Sequence, residues 1–207
     1  MTRSAAKHLS RVDPVMRKLM REFGPCRLTP ETRRAPFESL VRAVAHQQLH
    51  GKAAETILQR FRALFPDRRF PRPRDIASVS DKALRGAGFS RAKVAAIRDI
   101  AEKSLIGVVP TTRRIARLDD EEIITRLTEV RGVGRWTVEM LLIFQLARPD
   151  VLPADDFGVR NGFRIAYKRR EMPSPTELRA HGERWRPHCT TAAWYLWRAA
   201  DRARKEK

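Results

Sequence analysis

The amino-acid sequence predicts an all-α fold. Apolar residues recur at helical spacing almost throughout, and no segment alternates convincingly at the two-residue period of a strand. Prolines, glycines and capping residues punctuate the chain at helix-length intervals. Together these give about ten helices. With 207 residues, 42% of them hydrophobic, the chain can bury a real core, in one domain or two small lobes.

The elements follow in order. Phe37, Leu40, Val41 and Val44 lie on one helical face behind Pro36, a residue tolerated at a helix start. After Gly51 comes a second face of Ala54, Ile57, Leu58, Phe61 and Leu64, which stops before Pro66. The stretch DRRFPRPRD reads as a basic loop. Ser80 is a candidate N-cap with Asp81 in the first turn, and Gly86 and Gly88 break that short helix. Ser90 caps a longer helix bearing Val94, Ile97, Ile100 and Ala101, and the region ends at Pro110 and Thr111. Asp119 opens DDEEIITRLTEV, whose acids crowd the first turn as the helix dipole favours. Trp185, Trp194 and most of the nine Phe are assigned to the core, and the tail ARKEK to a frayed end.

Charge narrows the function. With 43 Lys+Arg against 24 Asp+Glu the net charge is +19, a field that attracts polyanions, nucleic acid foremost. An arginine-rich composition from a GC-rich genome explains the arginines but not their excess over acids. The two cysteines, Cys26 and Cys189, are too few for a four-Cys zinc or iron–sulfur site and are assigned to buried thiols. No apolar run approaches a membrane span, and the N-terminus lacks a signal-peptide core. A reducing compartment is expected: cytoplasm, beside the nucleoid in a bacterium, or nucleus in a eukaryote.

Two segments carry chemistry. In LTEVRGVGRWTVEMLLIF, Gly132 and Gly134 sit in a turn between two helices. The amides that follow begin a helix and can bind an anion such as a phosphate, although the glycines alone also fit a plain helix–helix turn. In ARPDVLPADDFGVRNGF, Asp155 and Asp156 precede a helix. An Asp there is ordinarily an N-cap, the structural role assigned to Asp155, whereas cap and catalysis are both open for Asp156.

Taken together, VRGVGRWTVEMLL and DVLPADDFGVRNGF resemble the helix-hairpin-helix (HhH-GPD) DNA glycosylase superfamily. Gly132-Val133-Gly134 matches its hairpin, Pro153 its loop and Asp155-Asp156 its acid. AHQQLHGKAA at 45–54 and ERWRPHCTTAAWYLW at 183–197 are similar to the DNA-3-methyladenine glycosylase II branch, and the resemblance spans residues 10–203. It implies a two-lobed all-α fold with the active-site cleft between lobes and no N-terminal β domain. One lobe would span residues 36–155, with the helix-hairpin-helix at 121–146; the other would combine 1–35 with 156–207.

The resemblance also implies roles. Asp156 would be the catalytic carboxylate of a monofunctional enzyme that flips and hydrolyses alkylated bases from double-stranded DNA, in base excision repair. Trp136 stands where strand-cleaving members carry the lysine that forms a Schiff base, so no lyase activity is expected. Trp136, Met140 and Trp197 would line the base pocket, Met140 departing from the aromatic of the bacterial relative. Either Gln48 or Leu49 would fill the gap left by the flipped nucleotide. Arg131, Gly132, Val133, Gly134 and Arg135 would contact DNA at the hairpin, and Ser90 and Lys93 at a helix start; a solvated basic face is the alternative for the last two. No cofactor and no iron–sulfur cluster are expected, while carbonyls of Thr128, Val130 and Val133 could hold Na+ or K+. His46 and His50 lack a third ligand for a metal. A monomer is the default. Two other functions stay open at this level: a non-catalytic helix-hairpin-helix DNA-binding protein, and a glycosylase for oxidised or mismatched bases.

Overall fold

Helices form where capping residues and apolar spacing coincide. A computed structural model describes residues 3–49 and 51–206, and among these all regular structure is helical. His50, half of the histidine pair considered above, lies outside the described residues. The elements are α1 (Arg3–Val12), α2 (Pro14–Phe23), α3 (Pro36–His46), α4 (Gly51–Ala63), α5 (Pro73–Ala77), α6 (Asp81–Gly86) and α7 (Arg91–Leu105). They continue as α8 (Thr112–Ile115), α9 (Asp120–Thr128), α10 (Arg135–Phe144), α11 (Phe157–Ala166), α12 (Pro175–Gly182) and, after a 3₁₀ turn at Glu183–Trp185, α13 (Cys189–Lys205). Among the described residues, no helix is long and apolar enough to cross a membrane.

The expected starts are in place. Pro36 opens α3, Ser80 caps α6, Ser90 caps α7, and Asp119 caps α9 in a reciprocal capping box with Glu122. The described residues form thirteen α-helices against the expected ten or so, and two of the extra ones, α5 and α8, have five and four residues, too few for a period to register. The basic loop DRRFPRPRD is thus partly helical: Pro73 starts α5 and Asp75 completes its cap.

Contacts divide the chain into two units: Met1–Thr32 with Leu142–Lys207, and Arg33–Leu141. This differs from the expected boundaries, because residues 142–155 go with the terminal helices. The start of α13 holds that stretch. Thr190 Oγ1 donates to Arg148 O (2.7 Å) and accepts from Val151 N (3.0 Å), and the Thr190 amide donates to Pro149 O (3.1 Å). Asp150 Oδ1 accepts the Cys189 amide (3.2 Å).

In the unit Arg33–Leu141, α3 and α5 pack on α7. Phe61 meets Phe65, Phe70 and Phe89 edge-on, at centroid distances of 5.5, 5.8 and 5.5 Å. In the other unit, α11 packs on α13 around Trp185, Trp194, Tyr195 and Leu196, with Leu9, Met16 and Leu19 of α1 and α2 in the same core. Cys26 and Cys189 are buried thiols there, and burial pushes both above the ordinary thiol value. Two phenylalanines depart from the core assignment: Phe144 is 41% exposed and Phe157 67%.

Candidate active site

The hairpin is built on α9 and α10. Val133 N donates to Val130 O (3.0 Å), and both valines are buried, so the turn is pinned from within. Gly132 carries it round at φ +76°, a left-handed angle that a Cβ disfavours. Asp99 on α7 accepts the Arg131 amide at 2.7 Å. Arg131, Gly132 and Gly134 are exposed. The amides that open α10 have no intrahelical acceptor by construction, the kind of helix start at which anions bind.

Arg135 is engaged within its own unit. Its guanidinium meets Glu121 at 2.5 and 3.1 Å and Glu139 at 3.2 Å, so two carboxylates of its own unit already hold it. Trp136, one residue on, is 45% exposed; Met140 is half-buried.

The turn after α3 adjoins the same hairpin. The Gln47 side-chain amide donates to Gly132 O at 2.8 Å. Gln48 takes φ +56°, a strained angle for a residue with a Cβ, and projects into solvent beside Leu49, itself 40% exposed. Lys93 supports this turn. Its ammonium donates to Ala45 O and to Gln47 O, at 2.9 Å each, and burial lowers its pKa. Lys93 therefore holds backbone carbonyls instead of standing free for a phosphate. Ser90 is exposed, its Oγ capping α7 by accepting the Lys93 amide at 3.3 Å. His46 lies 3.4 Å from Glu55, and among the described residues no group of three or more His, Cys, Asp or Glu could hold a metal.

The other unit contains the acid. Asp156, not Asp155, caps α11: its Oδ1 accepts the Val159 amide at 2.8 Å. The same oxygen accepts the Trp197 indole N–H at 2.8 Å. A carboxylate at a helix N-terminus is also favoured by the dipole. Asp155 pairs instead with Arg179 at 2.5 Å, both side chains nearly half-exposed. Trp197 is half-buried and stacks on Phe144, with centroids 5.7 Å apart and planes at 26°. Sequence reasoning missed Phe144, although it continues the four-residue spacing of Trp136 and Met140. It also missed Gln47, for which the sequence offered no signal.

Relatives with this architecture are known. The structure is similar to a DNA-3-methyladenine glycosidase of Bacillus halodurans, with a TM-score of 0.87 at 32% identity, over 99% of this chain and 92% of that one. It is also similar to the 3-methyladenine DNA glycosylase of Schizosaccharomyces pombe solved with abasic DNA. Here the TM-score is 0.82 at 42% identity, over 94% of this chain and 95% of that one. The alkylbase DNA glycosidase-like protein mag2 of the same yeast is 35% identical over 97% of this chain and 95% of its own. The model of HhH-GPD superfamily base excision DNA repair proteins matches residues 41–187, a stretch that takes in the turn after α3, the hairpin and Asp156, and the chain belongs to that superfamily.

Proposed function

We propose that the protein is a monofunctional DNA glycosylase, acting as a monomer, that hydrolyses alkylated bases of the 3-methyladenine and 7-methylguanine type from double-stranded DNA, with Asp156 as the catalytic carboxylate. The observation that carries this reading is the seating of Asp156: two N–H donors at 2.8 Å orient one oxygen at the start of α11. The substrate class follows the relatives, which are named for 3-methyladenine.

The chemistry asks for such a group. As the C1′–N bond breaks, its electron pair leaves with the base and the sugar gains oxocarbenium character. An oriented carboxylate stabilises that charge without having to reorganise. It can also accept a proton from the water that attacks C1′. An alkylated base carrying a positive charge departs neutral, so the step requires no strong general acid. The exposed ring of Trp136 offers a π face to such a cation, and Trp197 and Met140 are the other candidate pocket residues. An indole cannot form a Schiff base, so Trp136 supports hydrolysis without strand cleavage.

DNA would be held at the hairpin amides about Gly132-Val133-Gly134, with Arg131 beside them and Ser90 at the start of α7. Gln48 or Leu49 would enter the stack as the base is flipped, the step that base-modifying enzymes require. The hairpin carbonyls of Thr128, Val130 and Val133 are candidate ligands for Na+ or K+. Val130 O already accepts one hydrogen bond, and its second lone pair suits such an ion.

Wild type and Asp156→Asn, assayed on duplexes carrying a panel of damaged bases, test the reading. Wild type should release alkylated bases, and Asp156→Asn should slow release by about a hundredfold or more, a change typical of losing an electrostatic stabiliser. Unchanged release by the variant would sink the catalytic assignment. Release confined to 8-oxoguanine or mismatched bases would overturn the substrate class. A covalent enzyme–DNA adduct after borohydride treatment would contradict the hydrolytic mechanism.

A further inference from the structure

We propose that Gly158 and Gly162 are positioning residues for Asp156: by letting α13 cross α11 at close range, they allow the Trp197 indole to reach the carboxylate. This rests on the reading of Asp156 as the catalytic group.

The two glycines stand four apart on α11 and so share a face. A Cβ on Gly162 would lie 1.9 Å from Leu196 O and 2.5 Å from Leu196 C, so backbone of α13 occupies the space of a side chain. One turn toward the N-terminus, a Cβ on Gly158 would lie 2.9 Å from Trp197 Cδ1 and 3.1 Å from Asp156 Oδ1. Gly162 therefore sets how closely the helices approach, and Gly158 keeps the path of the indole edge clear. Neither position has a left-handed φ, so backbone freedom does not explain them. Glycine lowers helix propensity against alanine, and this ten-residue helix carries two. The close crossing is what offsets that penalty.

Phe144 restrains the indole from another direction by stacking on it. With the ring plane held, Trp197 has one N–H to give, and it goes to Asp156 Oδ1. The second donor, Val159 N, belongs to α11 itself. The carboxylate is thus fixed by its own helix and by α13 together, and its orientation depends on the distance between them.

The test combines single-turnover base release with NMR of the ¹⁵N-labelled indoles. Trp197→Phe keeps an aromatic ring, removes the donor and adds no atom to the crossing. It should slow release by about ten- to a hundredfold, the worth of one hydrogen bond to a charged group. Gly158→Ala should slow release to a similar degree and move the Trp197 indole N–H signal toward that of a weaker hydrogen bond. Affinity of Gly158→Ala for duplex with an abasic analogue should stay near wild type. Both changes cut the same bond, so the double variant should be within about twofold of Trp197→Phe alone. Multiplicative losses, or Gly158→Ala with wild-type rate and indole signal, would overturn the proposal. Should Asp156→Asn retain full activity, the catalytic half falls, while the indole shift in Gly158→Ala still decides whether the glycine controls the hydrogen bond.

Discussion

Lys93 lies in the first turn after a helix N-cap in a strongly basic chain, a setting that the sequence leaves open between a phosphate contact and a solvated basic face. Its ammonium donates instead to Ala45 O and Gln47 O, the carbonyls that shape the turn carrying Gln48 and Leu49. The two roles predict different behaviour for Lys93→Met. A phosphate ligand would lower the salt slope of DNA affinity by about one when removed. A support for the turn leaves the slope unchanged but lowers thermal stability, by about 1–2 kcal/mol for two charge-assisted bonds, and slows base release. We expect the second pattern, read from affinity against salt concentration and from a thermal melt. Arg135 makes the same point. Residue type announces a cation, and position decides which carboxylates pair with it, here Glu121 and Glu139.

Elements were legible where a long apolar face or a cap marked them. The apolar faces of α3, α4 and α7 and the capping box of α9 all follow from spacing within a few turns. The joint between α1 and α2 was not. Asp13 caps α2 through Oδ1, accepting from Val15 N (2.9 Å) and Met16 N (3.2 Å). Its Oδ2 accepts from the Tyr167 hydroxyl, from Trp185 Nε1 (2.9 Å) and faces His181 Nε2 (3.4 Å). Those partners lie 154 to 172 residues away, beyond any local pattern. Burial by itself would raise the pKa of Asp13; the hydrogen bonds from His181, Tyr167, Trp185 and Met16 outweigh it and hold the group well below the usual carboxylate range. The folded value lies under the unfolded one. The stabilisation is therefore complete above the ordinary carboxylate pKa near 4 and is lost as the pH falls below it. Denaturant unfolding of wild type should weaken progressively below about pH 4. Asp13→Asn should be less stable at neutral pH by about 1–3 kcal/mol and show a shallower decline in acid. An unchanged acid profile would remove Asp13 from this role.

At the scale of the molecule, charge is the property that reaches farthest. A net charge of +19 is a statement about partners and encounter rates, not about fold. Affinity for duplex DNA should fall linearly in log–log form as salt rises, with a slope of about 0.9 per phosphate neutralised. Titrations at several salt concentrations measure it, and a flat response would remove backbone phosphates as the main source of affinity. The division into units was only partly legible. Residues 142–155 follow the hairpin in sequence, yet Thr190 and Cys189 at the start of α13 bind them.

The sequence by itself determined the helical class, the glycine hairpin, most helix starts and an aspartate before α11. Each depends on backbone preference and spacing within a turn or two of chain. Only the tertiary structure decided which aspartate is the cap, what seats its Oδ1, where the ammonium of Lys93 goes, and that Phe144 and Phe157 stay exposed. Those outcomes join groups far apart in sequence, Trp197 and Asp156 being 41 residues apart. Their geometry is set by how closely helices approach, a distance that no local period encodes.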